Sequence, residues 1–140
     1  MAEPHWTPKM VAVYLEEAAD TLRRLPNCRV GGYVSAWPEI VHDYWEAFGW
    51  HDAEVRLIPP SPKAIDQMDE TLRWLWWLER DEARLVWERS TGKPWKVIAY
   101  DYGVDRTTAW RRWTYALITI AARLNAGDVA TPLQHLGVQH

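Results

Sequence analysis

The sequence has little of what builds disulfide-linked or membrane proteins. It contains one cysteine, Cys28, so no disulfide can form within the chain. No run of about 18 apolar residues is present, which argues against a membrane-spanning helix. The N-terminal residues lack the basic-then-apolar pattern of a secretion signal. We therefore expect a cytoplasmic protein that has no membrane partner.

Phenylalanine is also scarce, and tryptophan takes its place: the chain has eleven Trp and one Phe. Each indole buries a large area, so a few residues are expected to carry much of the core or of an interface. Apolar residues make up 48% of the chain, which argues against general disorder. A length of 140 residues fits one domain or two small packed lobes.

Charge is distributed unevenly along the chain. The net charge of −3 alone argues against a nucleic-acid-binding protein. However, residues 1–70 hold 6 Lys/Arg against 12 Asp/Glu, whereas residues 71–140 hold 10 against 7. Residues 93–124 hold six basic and two acidic side chains. A basic, DNA-facing lobe on an acidic protein explains this distribution; chance asymmetry in a short chain is the alternative.

The spacing of apolar residues predicts an all-α fold. Such residues recur every three or four positions along most of the chain, and Thr7-Pro8 and Ser61-Pro62 mark helix starts. Loops are predicted at Asn27–Ala36 and at Trp50–Pro60. The predicted helices cover residues 8–25, 37–49, 62–78, 79–91, 94–102 and 105–125.

The end of the third predicted helix is apolar nearly all round. At about 100° per residue, one narrow stripe holds Ile65, Met68, Leu72, Leu75 and Trp76. Trp74 and Trp77 lie well away from that stripe, so the helix is expected to be buried on several sides. The pair Trp74 and Trp77 either joins the front helices to the C-terminal lobe or forms a self-association surface.

No arrangement of residues indicates catalysis. A zinc site needs about four ligands at short spacing, and the nearest cluster is His42, Asp43 and Glu46. No G-x-S-x-G motif is present, and Gly31-Gly32 lacks the Lys-Ser/Thr of a phosphate-binding loop. We therefore expect no catalytic residue, no metal and no cofactor.

Residues 93–124 have the layout of a helix-turn-helix. Gly103 supplies the positive φ of a tight corner, Val104 fills the space between two helices, and Asp105 caps the second helix. Small Ala99 opposite small Ala109 allows the helices to cross closely. In such a motif the second helix enters the DNA major groove.

Residues 79–124 resemble the promoter-recognition helix-turn-helix of bacterial sigma factors, their region 4. In that family a charged leader helix that ends near a glycine, here Glu82–Thr91 and Gly92, precedes the two-helix motif. The matching signature is Trp95-Lys96-Val97-Ile98-Ala99, Tyr102-Gly103-Val104 and Arg106-Thr107-Thr108-Ala109-Trp110-Arg111-Arg112-Trp113. The whole chain, with YVSAWPEI at 33–40 and Pro-Pro-Ser-Pro at 59–62, is also similar to uncharacterised phage or prophage proteins. The resemblance implies promoter reading.

The resemblance divides the chain into an N-terminal partner or dimer region (1–78), a helix-turn-helix (79–126) and a tail (127–140). Base contacts are predicted from the outer face of the second helix, and phosphate contacts from flanking cations. Thr107 and Thr108 also suit an ordinary first helical turn, and Trp110 also suits a core. The base-contacting set is Arg106, Thr107, Thr108, Trp110 and Arg111; the phosphate-contacting set is Lys93, Lys96 and Arg112.

The leading hypothesis is a phage-type transcriptional regulator that reads the major groove of double-stranded DNA with helix 105–125. One alternative is a small terminase-like packaging protein that recognises viral DNA as a ring. Another is a module that binds RNA polymerase or a sigma factor without contacting DNA. Self-association as a homodimer or higher oligomer is compatible with the first two hypotheses.

Overall fold

The computed structural model describes residues 5–25, 37–49 and 58–130. The predicted loop with Cys28, residues 50–57 and most of the predicted tail lie outside this part, so predictions about them stay untested. The described residues form six α-helices, one 3₁₀ turn and no strand, which confirms the all-α prediction. No helix among them is both long and apolar enough to cross a membrane. The helices are α1 (Pro8–Arg23), α2 (Glu39–Gly49), α3 (Pro62–Arg73), α4 (Arg80–Ser90), α5 (Trp95–Tyr102) and α6 (Arg106–Asn125).

Local signals at the helix starts produce the predicted caps. The Thr7 hydroxyl accepts a hydrogen bond from the Met10 amide at 3.2 Å, and the Ser61 hydroxyl accepts one from the Ala64 amide at 3.1 Å. Each bond satisfies an amide that has no partner within its own helix. Both α1 and α3 therefore begin where the sequence predicts.

The third predicted helix does not continue to Leu78 as an α-helix. It ends at Arg73, and Trp74–Trp77 form a 3₁₀ turn. A 3₁₀ turn has three residues per turn, so the arithmetic of 100° per residue fails for these tryptophans. Trp76, which that arithmetic places on the core stripe, is only half-buried, whereas Trp74 is buried.

The tryptophans of the 3₁₀ turn contact other helices of the same chain. The Trp74 ring lies 5.3 Å from the Trp6 ring and 5.8 Å from the Tyr14 ring. The Arg123 guanidinium on α6 lies 5.9 Å from the centre of the Trp77 ring, within the range of a cation–π contact. These contacts favour the intramolecular joint over a self-association surface.

One hydrophobic core connects the front helices to the end of α6. It combines residues of α1, α2, α3 and the 3₁₀ turn with Ala83, Val86 and Trp87 of α4. The second half of α6 closes it with Ala116, Leu117, Ile120 and Ala121. Because this core includes residues on both sides of position 78, the two predicted regions share their packing.

A second, smaller core lies under the helix-turn-helix. It consists of Leu85, Ile98, Ala99 and Ala109. The half-buried Trp113 packs against both cores, and its ring meets the Trp95 ring edge-on at 5.3 Å. Helix α6 is therefore held by the small core through its first half and by the large core through its second half.

The two ends of the fold are joined by Asn125. Its side-chain oxygen accepts from the Trp6 amide at 2.8 Å, and its side-chain nitrogen donates to the Trp6 carbonyl at 3.0 Å. The pair of bonds closes a separation of 119 residues and places the start of α1 against the end of α6.

We expect Asn125→Ala to lower the free energy of unfolding by about 1–2 kcal/mol, because two hydrogen bonds are lost. Chemical denaturation measures this change. Thr119→Ala is the matched control, since that exposed hydroxyl bonds only to the Tyr115 carbonyl of its own helix. An equal effect from both substitutions would contradict the assigned role of Asn125.

Candidate nucleic-acid interface

The corner between α5 and α6 has the geometry that the sequence predicts. Gly103 adopts φ 67° and ψ 31°, a left-handed conformation that costs glycine little. The Val104 amide donates to the Ala99 carbonyl at 3.0 Å, and the Gly103 amide donates to the Tyr100 carbonyl at 3.2 Å. These two bonds define a Schellman motif, which ends α5 and turns the chain into α6.

Asp105 caps α6, as predicted. Its carboxylate accepts from the Thr108 amide at 2.7 Å. This backbone hydrogen bond is the main reason that the pKa of Asp105 lies below its usual value; the Thr108 hydroxyl and the nearby Arg111 charge act in the same direction. The first turn of α6 contains no further acidic residue, so the amides at this helix end carry their partial positive charge next to solvent.

The first half of α6 exposes most of the predicted base-contacting residues. Arg106, Thr107 and Arg111 are exposed, and Trp110 is 49% exposed. Trp110 therefore does not belong to the core, which was its alternative interpretation. Thr108 is half-buried, and its amide serves the Asp105 cap. The geometry of Thr108 fits the first-turn interpretation better than a base contact.

The predicted phosphate-contacting residues divide into two kinds. Lys96 on α5 and Arg112 on α6 are exposed. Lys93 is half-buried, and its ammonium lies 3.1 Å from the Asp101 carboxylate and 3.5 Å from the Glu88 carboxylate. A phosphate at Lys93 would have to compete with both partners, so Lys96 and Arg112 are the better placed cations.

Charged and aromatic contacts fix α4 against α5. The Arg84 guanidinium donates to Glu88 at 3.1 Å and lies 5.9 Å from the centre of the Tyr102 ring. Arg89 lies 4.7 Å from the centre of the Trp95 ring and donates to the Lys93 carbonyl at 3.0 Å. Helix α4 therefore contacts α5 at both ends, through Trp95 at its start and Tyr102 at its end.

Tyr102 is half-buried in this contact region, and its hydroxyl oxygen is buried. Burial, followed by the neighbouring Glu88 carboxylate, raises the pKa of Tyr102 to about 12. Its hydroxyl has no hydrogen-bond partner among the described residues. The phenol stays protonated at neutral pH and adds no charge to this region.

Sequence reasoning missed two exposed aromatic residues near the basic ones. Tyr100 on α5 and Tyr115 on α6 are both exposed. A signal for Tyr100 existed, because it follows Lys96 by four residues and residues at that spacing share a helix face. Tyr100 therefore shares the exposed face of α5 with Lys96.

Metal-ligating side chains do not converge in the part of the chain that the structure describes. Within residues 5–25, 37–49 and 58–130 no group of three or more His, Cys, Asp or Glu is placed to hold a metal ion. His42, Asp43 and Glu46 all lie on α2 but are not placed as such a group, and Cys28 lies outside the described residues.

We expect Gly103→Ala to destabilise the protein by about 1–2 kcal/mol, the cost of a left-handed conformation for a residue with a Cβ atom. No heavy atom lies within 4 Å of the added Cβ, so the cost is conformational and not steric. Gly103→Asn is the control, because asparagine tolerates this region better. Thermal unfolding should rank wild type above Asn and Asn above Ala; equal stability of all three would refute the strain argument.

The Asp105 cap should make stability depend on pH in the acid range. Its folded-state pKa is lowered, so its contribution is present above the unfolded-state pKa of about 3.9 and disappears as pH falls through the folded-state value. Asp105→Asn keeps a side-chain oxygen as the cap but cannot ionise. Thermal unfolding from pH 7 to pH 2 should show wild type losing its advantage over this variant; a constant difference would exclude the ionised cap.

Comparison with known proteins identifies a family. A family model described as a domain of unknown function (DUF6362) matches residues 23–120. This match covers more than half of the chain, and the chain belongs to that family. No curated protein and no solved structure gives a significant match. The matched segment begins at the last residue of α1 and ends within α6. It therefore includes α2 to α5 and most of α6, and it leaves out the core residues that α1 contributes.

Proposed function

We propose that this member of the DUF6362 family is a sequence-specific, double-stranded DNA-binding protein that acts as a phage-type transcriptional regulator. The observation that carries the proposal is the exposure of Arg106 and Arg111 at the start of a helix that follows a tight glycine corner. The sigma region 4 resemblance of residues 79–124 supports the same function.

The dimensions of α6 suit the major groove. An α-helix with its side chains is about 10–12 Å wide, and the major groove is about 12 Å wide. The first half of α6 exposes its polar and cationic residues, whereas its second half is packed into the large core. The first half is therefore the part of α6 that a groove would accept.

Each exposed side chain of this half suits one kind of contact. Arg106 and Arg111 have the planar fork that bonds guanine O6 and N7. The Thr107 methyl suits a thymine methyl, and Trp110 presents an indole beside them. Lys96 on α5 and Arg112 on α6 are exposed and suit phosphate contacts, which set the position of the helix.

The N-terminal end of α6 adds a second attraction to DNA, which does not depend on the base sequence. Helix N-termini bind phosphates through free amides and the positive end of the helix dipole. The Asp105 carboxylate occupies the Thr108 amide, and other first-turn amides lie next to exposed residues. Together with Lys96 and Arg112, this end favours the DNA backbone over a neutral partner.

We expect Arg106→Ala/Arg111→Ala to weaken binding to a selected duplex at least about 100-fold, because each guanine contact contributes about 1–3 kcal/mol. The duplex is obtained by selection from a random pool, and fluorescence anisotropy measures the affinity. Wild-type affinity should also fall steeply as salt rises, because phosphate contacts release counterions.

The control Arg24→Ala/Arg80→Ala removes the same charge from exposed positions just after α1 and at the start of α4. It should bind almost as wild type does, because its arginines pair with Asp20 and Glu39 away from α6. Equal losses of affinity in both double variants would show that only the net charge of the protein matters. Undetectable or salt-independent binding of the wild type would overturn the proposal.

A further inference from the structure

The solvent face of α6 carries an apolar stripe that the DNA contacts do not use. Tyr115 is 69% exposed and Ile118 is 45% exposed, and Ala122 is exposed beside them. These residues follow one another at spacings of three and four, the pattern by which two helices pack side by side. The buried residues of the same helix segment, Ala116, Leu117 and Ile120, point into the large core.

We infer that this stripe pairs with the same stripe of a second copy, in an antiparallel arrangement centred near Ile118. The inference rests on the proposed DNA-binding function and assigns self-association to α6, where sequence reasoning had placed it in residues 1–78. A symmetric pair buries the same patch on both copies, as a two-fold axis requires.

The length of α6 makes this pairing compatible with DNA. The recognition residues centre near position 108 and the stripe near position 118, about ten residues apart. At 1.5 Å per residue, antiparallel pairing separates the two recognition ends by about 30 Å. Half-sites read by helix-turn-helix dimers lie about 34–36 Å apart, one turn of the duplex. The two values agree within the reach of an arginine side chain.

The two faces of α6 point in partly different directions. At about 100° per residue, Thr107 and Trp110 point about 50° and about 110° away from the mean direction of the stripe, whereas Arg111 points within about 15° of it. One helix can therefore contact a groove with its first half while it contacts a second copy with its second half.

Charge selects the antiparallel orientation. In a parallel pair, the Arg111 side chains of the two molecules would face each other, and their like charges would repel. In the antiparallel pair, the cationic first half of one helix lies beside the C-terminal end of the other, which carries a partial negative charge. Asp128, which follows that end, pairs with Arg123 of the same chain at 3.2 Å, so these two charges offset each other and the helix end itself supplies the attraction.

The stripe is small, which determines when the dimer forms. Stable interfaces bury about 1,200–2,000 Å², and three side chains per copy fall short of that area. The free protein is therefore monomeric at low concentration, and two copies pair when adjacent half-sites raise their effective concentration. Pairing appears as cooperative binding to DNA.

The test compares binding to one selected half-site with binding to two inverted half-sites centred ten or fifteen base pairs apart. Wild type should bind the ten-base-pair duplex cooperatively and the fifteen-base-pair duplex without cooperativity, because its half-sites lie on opposite faces. Ile118→Glu should abolish the cooperativity and leave the single half-site affinity unchanged. Val13→Glu, at a position that is 42% exposed on α1, should behave as wild type does.

A second experiment decides the helix pairing without DNA. In a Cys28→Ser background, Ile118→Cys at high protein concentration should give a covalent dimer with a short bifunctional maleimide, and Val13→Cys should not. Equal cross-linking at both positions, or cooperativity that survives Ile118→Glu, would overturn the inference. A further outcome is that Ile118→Glu changes the melting temperature without changing the number of protein molecules bound per duplex. That result would show that the chain itself covers the stripe, and it would also overturn the inference. Cross-linking without any DNA binding would instead reject the proposed function alone.

Discussion

The structure depends on the sharing of α6 between two hydrophobic cores. Its first half covers the small core of the helix-turn-helix through Ala109, and its second half closes the large core through Leu117 and Ile120. Trp113 lies between these halves and packs against both. Because one continuous helix connects the two cores, a force on its exposed start is transmitted into the body of the protein, which limits independent movement of the helix-turn-helix.

Fewer cations are available for a partner than the composition of residues 93–124 indicates. Residues 93–124 hold six cations, but the ammonium of Lys93 is paired with two carboxylates, and Arg123 is paired with Asp128. The remaining cations lie at the start of α6 and on the exposed side of α5. Three of these four cations lie within residues 106–112, a spacing that suits a focused contact better than a broad one.

Local chemistry made part of this fold predictable. The caps at Thr7, Ser61 and Asp105 and the corner at Gly103 depend on residues within a few positions of one another, and all four agree with the structure. Features that depend on distant residues were not predictable. The 3₁₀ turn at Trp74–Trp77 and the partners of Lys93 follow from tertiary packing, which periodicity does not contain. The sequence predicts which residue types a DNA contact would use, and only the fold shows which of these residues reach solvent.

The bonds between Trp6 and Asn125 also bear on how the protein is made. Helix α1 is translated before the other described helices, yet its packing partners include α3 and α6. The Trp6 backbone just before it bonds to a residue 119 positions later. The apolar face of α1 therefore stays incompletely covered during translation until α6 has been synthesised. Synthesis at about 5–20 residues per second leaves that face unprotected for several seconds, a period in which a chaperone has time to bind it.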